Sequence, residues 1–181
     1  MTDTTGGAGD EGEGDGEGEG TRAAATPYPG RCPEAARARL LLAYEAYELC
    51  ELARTAVPVG PHELRRDGTP RVPGAALADA AHLLAAARRL LEAAVVYERL
   101  GGAAWQLVGD VLDVPAHTAS ERYAPAEARF RAGAPEAPDR WWRAHVRRAP
   151  GEAARDLDDW VLRHADGDAD PGPAPVSGGL P

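Results

Sequence analysis

The chain has 181 residues and a formal net charge of −9, from 29 acidic and 20 basic side chains. That length supplies one domain with a real core, or at most two small ones. Cys32 and Cys50 form no CxxC pair and have no neighbouring His, which argues against a disulfide framework and a zinc site. No apolar run has the length of a leader or a membrane span, so a cytoplasmic location without membrane association is expected.

Residues 1–20 hold seven acids and eight glycines with no base, and a disordered acidic tail is expected over residues 1–31. Every basic side chain is Arg and falls between residues 21 and 164, where the 20 Arg face 19 acids. The part expected to fold is therefore close to neutral. No strand-like alternation occurs, and alanine-rich helical periodicity predicts an all-α domain over residues 32–164.

The first helix is expected over residues 33–57, with Pro33 at its start and Glu34 in its first turn. Its apolar set is Leu42, Leu49, Ala53 and Ala56, with Leu41, Tyr44 and Leu52 alongside. Prolines and glycines crowd residues 58–74 around the turn signal Asp67-Gly68, which predicts a long surface loop. A second helix over residues 75–100 carries Leu77, Leu84 and Leu91 in one heptad line and Leu83, Leu90 and Tyr97 in the next. Two adjacent lines serve two neighbours. One is the first helix, as an antiparallel hairpin, and the other is whatever follows Gly101-Gly102. The same hairpin also has the character of a homodimer interface.

Over residues 104–132, Trp105, Leu107, Val108 and Leu112 form one apolar stripe on a short helix, with Gly109 beside it. A position without a side chain lets a second helix cross at close range. Asp113-Val114-Pro115 supplies the turn: Asp tolerates a left-handed backbone, and Pro115 suits the first position of a new helix, leaving Val114 as a cap without a side-chain acceptor. The second helix starts at Ala116 and turns Ala119 and Tyr123 inward. Pro115, Ala116, His117, Ser120, Glu121 and Ala124 are left facing outward.

Trp105, Val108-Gly109, Leu112 and Val114 together resemble a recurrent helix-turn-helix of bacterial transcription factors and of region four of sigma factors, in an Arg-only, actinobacterial style. The resemblance runs from Leu100 to Phe130, about a sixth of the chain. It implies double-stranded DNA as the partner, with the second helix in the major groove. His117, Ser120 and Glu121 would then face the bases, and Arg122, Arg129 and Arg131 the phosphates. Ala116 offers no bidentate contact to guanine. From Arg122 to Arg148 seven Arg stand against three acids, a local positive surplus.

After the break at residues 132–138, a helical pair is expected over residues 139–164, first from an Asp139 cap to Arg148, then from Gly151 to His164 with Leu157, Trp160, Val161 and His164 on its apolar side. Trp141 and Trp142 lie between Arg140 and Arg143. They are read either as stacking platforms for nucleic acid, as buried pins or as a protein-docking surface. Residues 165–181, rich in Asp, Gly and Pro, are expected to be disordered.

No catalytic constellation is present. The five histidines are scattered, HExxH, GxSxG and phosphate-loop motifs are missing, and the acids Asp156, Asp158 and Asp159 read as a solvated helix face. No catalytic residue, metal or cofactor is expected. The alternative to DNA reading is a non-enzymatic interaction module with a vestigial helix-turn-helix, docking a transcription or regulatory partner through the hairpin or the Trp141-Trp142 surface.

Overall fold

A computed structural model describes residues 32–133, 141–168 and 170–180; the acidic segment 1–31 and the Asp139 cap lie outside them. The described residues are all-helical: α1 (Glu34–Thr55), α2 (Ala75–Leu100), α3 (Trp105–Leu112), α4 (Ala116–Ala132), α5 (Trp141–Arg148) and α6 (Pro150–His164), with a short 3-10 turn at Ser177–Gly179. Glu34 lies in the first turn of α1 and Arg54 in its last, as the helix dipole favours. In the loop before α2, Asp67 accepts hydrogen bonds from the backbone and hydroxyl of Thr69 at 3.0 and 2.6 Å, which closes a small turn around Gly68.

Helices α1 and α2 form the expected antiparallel hairpin, which carries the remaining elements on two sides. On one side, Val95 of α2 packs with Val108, Ala119 and Tyr123 from α3 and α4. On the other, Leu40 and Tyr44 of α1 pack with Trp142, Val146, Ala153, Ala154 and Leu157 from α5 and α6. A third cluster of Ala38, Val96 and Ala126 joins α1, α2 and α4. The small side chains in that cluster let three helices meet closely.

The Tyr44 ring stacks on Trp142 at 5.3 Å between centroids, and its hydroxyl donates to the Ala153 carbonyl at 3.2 Å. Burial first, then the Asp156 carboxylate, pushes the Tyr44 hydroxyl up to about 12, so it stays a neutral donor. Glu45 is 0% exposed, yet Arg89 reaches it at 3.3 Å and Arg143 bonds it from α5. Arg89 also contacts Glu48 at 3.3 Å, and Glu48 accepts the Trp142 indole N–H at 2.6 Å. One ion network therefore ties α1, α2 and α5 together.

Three sequence expectations change. The inward face of α1 runs through Ala36, Leu40 and Tyr44, whereas Ala53 and Ala56 are exposed, because the C-terminal end of α1 projects beyond the clusters. Periodicity located the apolar stripe without showing how far its neighbours reach. The segment after His164 is not an open tail over its described part: Val176 and Leu180 pack against the α1–α5–α6 cluster. Asp158 is the reason. Expected on a solvated face, it is buried and accepts hydrogen bonds from the backbone of Val176 at 2.6 Å, the backbone of Ser177 at 3.0 Å and the Ser177 hydroxyl.

Asp158→Ala is expected to release residues 170–180 from the core. Three charge-assisted bonds disappear together, at a cost of about 1–3 kcal/mol. Limited proteolysis reads this directly as new cleavage after residue 164 in the variant. An unchanged digestion pattern would show that Val176 and Leu180 hold the segment without the carboxylate.

Candidate nucleic-acid interface

The crossing of α3 and α4 is built around Gly109. A Cβ at this position would lie 2.6 Å from the Val114 carbonyl oxygen and 3.1 and 3.2 Å from the backbone N and Cα of Ala116. All three neighbours are backbone, so the chain passes directly over the glycine. Asp113 takes the left-handed conformation at φ 54°, and Val114 N–H bonds back to Gly109 at 2.9 Å, closing α3. Pro115 serves as the N-cap of α4 and not as its first residue, so the missing acceptor falls one position later than expected.

Behind the turn, Val108, Gly109, Ala119 and Tyr123 are buried, and Trp105, Leu112 and Val114 pack against them half-exposed. Leu107 departs from this set. It is exposed, because α2 covers only the Val108 and Leu112 side of α3. Arg99 is the residue that sequence reasoning passed over. Its guanidinium lies 4.3 Å from the Trp105 ring centroid, donates to the Ala103 carbonyl and pairs with Glu127 at 3.1 Å. It thereby clamps α2, the α3 entrance and α4. An Arg in the last turn of a long helix, just before Gly101-Gly102 and an aromatic, was its signal.

On the outer face of α4, His117 and Glu121 are exposed and Ser120 is half-buried, at the one-turn spacing that places them on one side. Arg131 continues that face four turns further along. Arg122 and Arg129, seven residues apart, share its flank. Arg122 is exposed and makes no ion pair among the described residues, whereas Arg129 pairs with Glu92 at 3.1 Å and Arg131 with Glu127 at 2.9 Å. Pro125 lies within α4 on its exposed side, so the Glu121 carbonyl has no helical N–H partner and is left to solvent. Acidic Asp110 and Asp113 are exposed at the same end, with Gln106 donating to Asp110 at 2.8 Å.

Trp141 and Trp142 separate. Trp142 is buried under Tyr44, which removes it from any stacking surface. Trp141 is 67% exposed and borders an open cleft of about 410 Å³ with Tyr47, Glu48, Glu51 and Leu52. Among the described residues, no group of three or more His, Cys, Asp or Glu is placed to hold a metal ion, and no helix is long and apolar enough to cross a membrane.

Comparison with protein-family models, curated proteins and solved structures gives no match. Function therefore has to be argued from the site alone.

Proposed function

We propose that this chain is a cytoplasmic DNA-binding protein, a transcriptional regulator that lays the N-terminal half of α4 in the major groove of duplex DNA. The observation that carries this reading is the close passage of the turn over Gly109, which sets α4 across α3 with His117, Ser120 and Glu121 outward. His117 donates to a guanine edge, Glu121 accepts from cytosine N4, and Ser120 serves either. Arg122, Arg129 and Arg131 hold phosphates; the last two exchange Glu92 and Glu127 for the DNA backbone. The Arg129–Glu92 pair is solvent-exposed, so its exchange costs little, and Glu127 keeps Arg99 as a partner when Arg131 leaves it.

Glu121 and the two nearby acids oppose phosphate, so binding is expected to be weak without the correct bases and to depend steeply on salt. Replacing Arg122 and Arg129 together by Ala is expected to reduce the slope of log affinity against log salt by about 2, one for each lost phosphate contact. A slope that stays the same in an anisotropy titration would remove both residues from the phosphate contacts.

A second reading rests on Trp141. Its exposure beside Tyr47 and Leu52 suits a docking patch for a protein partner such as a component of the transcription machinery, with the helix-turn-helix serving only as packing. Loss of partner capture on Trp141→Ala, with DNA affinity unchanged, would favour it.

A further inference from the structure

Leu77, Leu84 and Leu91 repeat every seven residues along α2 over about 21 Å, and all three are exposed, Leu77 at 74% and Leu84 at 53%. Exposed Leu107 and Val111, the latter at 75%, prolong the strip onto α3. Between the two helices lies an open groove of about 230 Å³, walled by Leu91, Ala94, Val95, Leu107 and Val111, with Glu98 at its edge. Helix α1 packs on the opposite side of α2, where Glu45 meets Arg89 and Ala38 packs with Val96, so the strip is no part of the hairpin core. A contiguous apolar surface of this kind marks an interaction site.

The charges on α2 indicate what covers it. Arg88 sits inside the strip between Leu84 and Leu91, and both it and Glu98 are exposed without an ion pair among the described residues. Within one chain they stand about 15 Å apart along one helix and cannot meet. An antiparallel copy of the same helix brings each Arg88 to the other copy's Glu98, twice by symmetry. The acidic segment 1–20 is not a substitute occupant, since Met1 and Ala8 are its only apolar side chains.

We propose that the chain pairs with a second copy of itself across this strip. The two α2 helices run antiparallel with the two-fold axis level with Ala93, midway between Arg88 and Glu98, so that Leu91 of each copy lies level with Val95 of the other. Leu84 of each copy reaches the Ala103 end of the other's groove, and Arg88 of each meets Glu98 of the other. The pairing is independent of DNA reading: a dimer that bound no DNA would leave it intact.

Sedimentation equilibrium of the full chain tests it, with circular dichroism as the control for folding. The expected result is a dimer that Leu84→Glu converts to a monomer of unchanged helicity. Arg88→Glu alone and Glu98→Arg alone each weaken pairing by about tenfold, and the double exchange restores it. A wild-type chain that stays monomeric at about 100 µM overturns the proposal, as does a dimer indifferent to Leu84→Glu. If Leu84→Glu misfolds, the charge pair decides alone: a double exchange that fails to restore pairing overturns the register.

Discussion

Glu45→Ala is expected to lower the stability of the chain by about 3–5 kcal/mol, the usual consequence of removing one partner from a buried ion network. Glu45 is 0% exposed and joins Arg89 of α2 to Arg143 of α5 from the middle of α1. Without its carboxylate two guanidinium groups remain at the joint between the hairpin and the α5–α6 pair, each less than one-third exposed. Neither can reach full hydration without separating the helices. The loss also propagates, because Arg89 helps to position Glu48, which accepts the Trp142 indole N–H. Glu45→Gln keeps the volume and one acceptor and is expected to lose less than the Ala variant. Urea unfolding followed by tryptophan fluorescence measures both. A loss below about 1 kcal/mol for Glu45→Ala would mean that the joint is held by the Tyr44–Trp142 stack and its apolar neighbours.

Gly109→Ala is expected to cost about 1–3 kcal/mol by overpacking, although alanine gains about 1 kcal/mol over glycine in an open helix. The new methyl meets the Val114 carbonyl at 2.6 Å and the Ala116 backbone at 3.1 and 3.2 Å. No flexible side chain can give way there, so α4 has to move off α3. The damage should remain in the Val95–Val108–Ala119–Tyr123 cluster, because the α1–α5–α6 cluster shares none of its residues. Hydrogen exchange is expected to speed up in α3 and the first turns of α4 while α1 stays protected, and DNA affinity should fall with it. A variant more stable than wild type would show that the crossing at Gly109 is looser than these distances state.

The tight turn between α3 and α4 was legible because its signals are local and chemically restrictive: Gly109 for close approach, Asp113 for a left-handed turn and an apolar stripe ending at Leu112. The all-α class followed from periodicity in the same way. What remained hidden depends on which neighbour covers which part of a stripe. Leu107 shares the stripe of Val108 but is left uncovered at the wall of the open groove beside α2, and Trp141 and Trp142 are adjacent in sequence yet face solvent and core. Buried acids were hidden for a different reason. Glu45 and Asp158 look like solvated helix residues until Arg89, Arg143 and the Val176–Ser177 backbone are brought to them from distant positions. On the outer face of α4 the residue types were legible, and the ion pairs of Arg129 and Arg131 were not, since Glu92 lies on a different helix and Glu127 is shared with Arg99.

The proposed function requires that α4 contacts duplex DNA. Fluorescence anisotropy of a labelled random duplex, titrated with the full chain at low salt and again near 0.2 M, tests it most directly. Binding at low salt that weakens steeply at the higher concentration is the predicted result, and Gly109→Ala should lower it. No binding even at low salt would contradict the account and leave the helix-turn-helix as a packing unit, with Trp141 as the surface to pursue.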